Sequence, residues 1–264
     1  MESPSSPTPG SGGRVLGAPE SAPPTPPTPP AEPRQRLRIT VAREPVDADR
    51  VGRMALDAWQ LCLQDSGLPI AGLEAPNGRA RLAIAAPLPA MARGIAELLD
   101  LWLLERLPTW RVREALAPRL PQGYRWVGAE DVWLGEPPLP GRVAASDWRI
   151  ELGGDASGAI DGDVLARAAR DLLVSPTIPR TRLKAGAEKR YDLRPLILGL
   201  SVEPGPPVTV LLRTRIDPEL GSGRPEEVLS ALGEAAGAAL EVASITRIGL
   251  LLTDDPGLRA GRTR

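Results

Sequence analysis

Ala96-Glu-Leu-Leu-Asp-Leu-Trp-Leu-Leu104 is the stretch on which the fold turns. Leu98, Leu99, Leu101, Trp102, Leu103 and Leu104 fit a buried strand and a buried helix alike, and periodicity does not arbitrate between them. The neighbours narrow the choice. Downstream, Thr109 is placed to cap a short helix with Val112, Leu116 and Leu120 on one face, and Tyr124 to Leu134 reads as a strand. Upstream, Leu37-Arg-Ile-Thr-Val41 alternates apolar and polar residues as a strand does. A helix over 48–65 follows, with Val51, Ala55, Ala58 and Cys62 as its stripe, widened by Met54 and Trp59. Gly67-Leu-Pro69 stops it, Asn77-Gly78 marks a turn, and Ala80 to Ile84 is a second strand. The order β-α-β-(β or α)-α-β is that of a ferredoxin-like half.

Pro137-Pro-Leu-Pro-Gly141 sets a boundary, and beyond it the pattern begins again. Trp148 to Leu152 reads as a strand, and Asp161 or Asp163 starts a helix carrying Val164, Ala168 and Leu172. Ile178–Lys184 and Glu188–Asp192 form a hairpin around Ala-Gly-Ala, with a short helix near Asp192. Val208 to Arg215 is a strand, Pro225 to Ala238 a helix, and Thr246 to Leu252 the last strand. The expectation is an α+β protein of two ferredoxin-like βαββαβ-type halves, residues 35–140 and 141–254, the second embellished. Residues 1–34, rich in Pro, Ser, Gly and Thr, predict a disordered tail, and 255–264 a frayed C-terminus.

Composition removes several classes of chemistry. The 264 residues include no histidine, which removes the usual general base near neutral pH and the commonest zinc ligand. The single cysteine, Cys62, forms no internal disulfide and cannot hold an iron–sulfur cluster alone. The expectation is therefore a chain with no cofactor of its own, leaning away from catalysis. A net charge of −1 rules out steering by the whole molecule, so any anion site is a local patch. No apolar run spans a bilayer and no signal pattern opens the chain, so the expected setting is cytoplasmic, without membrane.

The local patch has a candidate. Thirty arginines stand against two lysines, and both lysines, Lys184 and Lys189, fall inside the basic run from Arg180 to Arg194. A lysine is a compact point charge and an arginine a planar fork, so the choice has physical content. Asp192-Leu-Arg194-Pro195 and Gly223-Arg224-Pro225 each set an arginine before a proline at a helix start, where unpaired N–H groups and the macrodipole favour anions. Lys184, Lys189, Arg190, Asp192, Arg194, Arg224 and Arg247 are the candidate anion- or RNA-binding residues. Asn77, Arg79 and Arg81, at a turn and strand start, are a weaker set. The competing reading has Glu226 and Glu227 complementing the dipole and the arginines pairing with Asp192.

Lys184 through Lys189 to Asp192-Leu-Arg-Pro195, together with Gly223-Arg-Pro-Glu-Glu-Val-Leu229, resembles the radical-SAM-linked family of uncharacterised bacterial proteins. Arg247 falls near that family's late arginine, Gly67-Leu-Pro69 with Asn77, Arg79 and Arg81 keeps the frame, and Glu97 to Asp100 is similar to a family strand. Val51-Gly-Arg-Met54 and Gly72 to Gly78 depart from the family pattern. The resemblance implies a strand at 96–105, a radical SAM protein encoded separately as partner, and RNA- or translation-linked modification as the setting. The function expected is a non-catalytic accessory that holds RNA phosphate or another anion. The alternatives are a protein-docking scaffold and an enzyme using Asp192 with Lys184 or Lys189 as acid and base.

Overall fold

The computed structural model describes residues 31–153, 161–184, 187–256 and 258, without the side chains of 183, 184 and 187. The predicted tail up to residue 30, the Ala185-Gly186 turn and most of the predicted frayed C-terminus lie outside the described residues. The described part is α+β, with a mixed nine-stranded sheet, a separate two-stranded sheet and four α-helices.

The ambiguous stretch is a strand. β1 (Gln35–Arg43) pairs antiparallel with β3 (Arg93–Leu103), setting Ile39 opposite Leu99 and Leu37 opposite Leu101. Leu99, Leu101 and Leu103 pack with Trp59, Cys62 and Leu63 of α1 (Arg53–Gln64) and Val112 and Leu116 of α2 (Thr109–Leu116). The other face of β3 carries Asp100 and Trp102, and it too is buried. Burial on both faces hides the alternation that would announce a strand. The Asp100 carboxylate is wholly enclosed, and it accepts from Arg36 at 3.0 and 2.6 Å and from Arg38 at 2.9 and 3.1 Å. β2 (Leu82–Ile84) pairs with β3, and β4 (Tyr124–Val132) with β1, which gives the order β4-β1-β3-β2, antiparallel throughout.

The second run repeats this order. β5 (Val143–Leu152), α3 (Gly162–Val174), β8 (Ile197–Glu203), β9 (Thr209–Asp217), α4 (Pro225–Ala236) and β11 (Val242–Leu252) give β11-β5-β9-β8, again antiparallel. The additions are the hairpin of β6 (Pro179–Lys184) and β7 (Ala187–Asp192) and the two-residue β10 (Gly221–Ser222) beside β9. Trp148, Ile150, Leu165, Leu172, Val210 and Leu232 belong to the core of this run.

The two runs share one sheet because β11 lies parallel to β3 at Thr246–Arg93 and Arg247–Gly94. Arg247 closes the seam from within. Its Nε donates to Glu97 Oε1 at 2.9 Å, Nη1 to the Pro87 carbonyl at 3.0 Å, and Nη2 to the Ala86 carbonyl at 3.0 Å and to Glu97 Oε2. Both side chains are buried, Arg247 at 2% exposure.

Several local expectations are corrected. The first helix begins at Arg53 rather than near 48, because Ala48–Arg50 is a 3-10 turn and Gly52 takes φ 63. Thr109 is the first helical residue and not the cap, since Pro108 holds that position. The second strand shortens to Leu82–Ile84, and the short helix after Asp192 is a three-residue 3-10 turn, Arg194–Leu196. β8 has no counterpart among the expected strands. Asp161 does start α3, accepting from Asp163 N at 2.9 Å. Cys62 sits in the core, where burial, with Asp65 nearby, pushes its thiol up to about 11. No helix among the described residues is long and apolar enough to cross a membrane.

Candidate anion-binding site

The β6–β7 hairpin pairs Arg180 with Tyr191 and Arg182 with Lys189. Side chains alternate along a strand, so Arg180, Arg182, Lys189 and Tyr191 share one face. That face meets α4. Arg180 reaches Glu234 at 3.0 Å, and the Arg182 guanidinium lies 4.8 Å from the Tyr191 ring centroid, within cation–π range. β10 closes in from the side, where a Cβ on Gly221 would stand 3.4 Å from Arg182 Nη2. Gly221 also needs its positive φ of 93.

Tyr191 is the meeting point. Burial first, and then the facing Glu227 carboxylate, push its phenol well above the usual tyrosine range, while the charges of Arg182 and Arg224 pull the other way. Arg224 caps α4 from an extended conformation, with Pro225 as the first helical residue and Glu226 and Glu227 in the first turn. The structure therefore brings Arg182 and Tyr191 of the hairpin beside Arg224 and Glu227 of the helix start. Arg180 and Arg182 lie inside the quoted basic run but were not among the candidates. Their two-residue spacing opposite Lys189 and Tyr191 was the available signal.

The other candidates divide clearly. Lys189, Arg190 and Arg224 are exposed, and none forms an ion pair with a described residue. Lys184 pairs with Ala187 through the strand register, and its side chain lies outside the described residues. Asp192 Oδ1 accepts from the Ile178 N–H at 2.8 Å and the Arg194 N–H at 3.0 Å, closing the neck of the hairpin. Arg194 donates Nε and Nη2 to the Leu173 carbonyl at 3.0 and 2.6 Å and Nη1 to that of Ile197 at 2.9 Å, so it caps the end of α3. Arg247 lies in the seam with Glu97 and is not brought to the hairpin. Asn77, Arg79 and Arg81 belong to the first run, where Arg81 lies 4.7 Å from the Trp102 ring centroid. Strands β11, β5 and β9 separate them from the β10 side of the sheet. Among the described residues no group of three or more histidine, cysteine or carboxylate side chains is arranged to hold a metal.

Comparison with curated proteins finds no match. Among solved structures the chain is similar to a chain of a Cbf5–Nop10–Gar1 complex, at 10% identity and TM-score 0.43 over 81% of this chain and 48% of that one. It is also similar to a chain of the archaeal box H/ACA sRNP Nop10–Cbf5 complex, at 11% identity and TM-score 0.37 over 80% and 46%. The chain thus spans about half the length of the solved chains it matches. Residues 58–234, about two-thirds of the sequence, match a protein family described as conserved in bacteria and uncharacterized, and that stretch contains the hairpin and the start of α4. The chain belongs to that family, DUF2344.

Proposed function

We propose that this protein is a non-catalytic binding module that holds the phosphate backbone of RNA along the β6–β7 hairpin and the start of α4. One observation carries the reading: Lys189, Arg190 and Arg224 are exposed with no ion pair to a described residue, while Arg182 is held by the Tyr191 ring rather than by a carboxylate. Cations left unpaired at a surface are free to replace the counterions of a phosphate chain. Contacts of this kind position a ligand without reading its sequence. The engagement of Asp192 Oδ1 with two backbone N–H groups favours binding over acid–base chemistry.

The finer assignments rest on other supports. The repeated strand order β4-β1-β3-β2 and β11-β5-β9-β8, with one helix in each crossover, supports two ferredoxin-like halves. A separately encoded radical SAM protein as partner is supported by the resemblance of residues 184–195 and 223–229. In this reading the partner supplies the cluster and the chemistry, and this chain holds the substrate.

The test is retention of a single-stranded RNA oligonucleotide by the full chain across a salt series. Binding should weaken steeply as salt rises, and Lys189→Ala, Arg190→Ala and Arg224→Ala should each reduce the logarithmic salt slope by about 1. Retention that is unchanged in all three variants, with the fold intact by circular dichroism, defeats the reading.

A further inference from the structure

We propose that the free edge of β11 from Val242 to Ile245, with the groove beside it, receives an extended segment of another protein carrying alternating apolar and basic side chains. β11 pairs with β5 over its whole length but with β3 only at Thr246 and Arg247. Among the described residues nothing pairs with the other edge of 242–245. Each residue of a strand carries a main-chain donor and acceptor, so an open edge is a template for a further strand. Proteins commonly blunt such edges with lysine, proline or charge. Val242-Ala-Ser-Ile245 has none of these, and its one irregularity is a register shift between Val242 and Ser244.

The groove explains what the added strand would bury. An open groove of about 740 Å³ runs between α4 and this edge, floored by Leu229, Gly233, Leu240, Val242 and Ile245. Val242 is 38% exposed. Gly233 keeps the groove's wall close, since a Cβ there would meet the Ala238 carbonyl at 2.7 Å. A strand added to the edge points every second side chain into this space.

Charge selects the occupant. Glu226 and Glu234 line the groove and Glu241 leads into the edge, all three exposed; Glu234 is paired with Arg180, so Glu226 and Glu241 carry the uncompensated charge. Neither lysine nor arginine lines it. An acidic rim repels a phosphate chain and favours a peptide whose remaining side chains are lysine or arginine. None of Lys189, Arg190 and Arg224 lines the groove, although it adjoins the hairpin through α4 and the Arg180–Glu234 pair.

The probe is a fluorescein-labelled peptide, Lys-Val-Arg-Val-Lys-Val-Thr amide, titrated against the full chain by anisotropy. Saturable binding is expected. Val242→Lys should weaken it at least tenfold, and Glu241→Lys should weaken it while improving binding of the analogue with glutamate at each basic position. Circular dichroism and RNA retention should stay at wild-type levels in these variants, which separates this surface from the hairpin. The proposal is overturned by absence of saturable binding, by equal affinity for the basic and acidic peptides, or by indifference to Val242→Lys. It is also overturned if sedimentation shows self-association that Val242→Lys abolishes, because the edge then serves a second copy of this chain.

Discussion

The Arg182 guanidinium lies over the Tyr191 ring, 4.8 Å from its centroid, at the point where the hairpin meets α4. The ring orients a cation that no described carboxylate neutralises. Tyr191→Ala should free Arg182 and lower RNA affinity by about two- to fivefold, the scale of one cation–π contact of about 0.5–1 kcal/mol, whereas Tyr191→Phe should retain affinity. Equal losses in both variants would place the effect in the hydroxyl instead of the ring.

The phenol itself makes an alkaline prediction. Folding raises the Tyr191 pKa above its ordinary value of 10.0, through burial and Glu227, so the folded state favours the protonated form. That stabilisation is complete below the unfolded pKa and is lost as pH climbs through and beyond it. Urea midpoints measured between pH 8 and about 11 should fall more steeply for the wild type than for Tyr191→Phe. Parallel curves would contradict the assignment.

Arg247 and Glu97 predict a strongly asymmetric double-mutant cycle. Arg247→Met leaves the buried Glu97 carboxylate without its hydrogen-bonded cation, which costs about 3–5 kcal/mol, while Arg247→Met with Glu97→Leu should recover most of that loss. Chemical denaturation of the two single variants and the double variant measures it. Simple additivity would mean that the pair does not act as a unit.

Acid should weaken the ion-pair cluster that joins Glu136 to Arg38 and Arg142. Glu136 accepts from Arg38 at 2.8 Å and lies 2.6 Å from Arg142. Burial raises its pKa, but the two guanidinium groups together outweigh that and hold it below the ordinary 4.5. Its stabilisation is therefore present above pH 4.5 and disappears as pH falls through the lower folded value. Melting temperatures at pH 7 and pH 3.5 should show Glu136→Gln less stable at neutrality and less sensitive to acid. An acid sensitivity equal to that of the wild type would sink this attribution.

Much of the architecture was legible because caps, turns and strand patterns are local, even in β1, which is buried on both faces. A helix start at Asp161 or Asp163, Pro225 in the first turn of α4 and the alternation of β1 read from local chemistry, and the structure settles the first on Asp161. β8 did not. Ile197-Leu-Gly-Leu200 breaks strict alternation, and the structure shows a register shift between Ile197 and Gly199. The start of α1 is hidden in the sequence because Val51 continues the apolar stripe although Gly52 at φ 63 interrupts the backbone. At the candidate site, the basic run showed where cations accumulate, but not which are already engaged. Arg194 finds its partners at Leu173 and Ile197, and Arg247 at Glu97, 150 residues away. Contacts of that range leave no trace in local spacing.

The last strand also dictates the order of events at birth. Glu97 emerges from the ribosome long before Arg247, so the first run is synthesised with an acidic group whose hydrogen-bonded partner does not yet exist. Completion of one half waits on nearly the last residues of the other, and loss of the stretch beyond residue 241 would damage both.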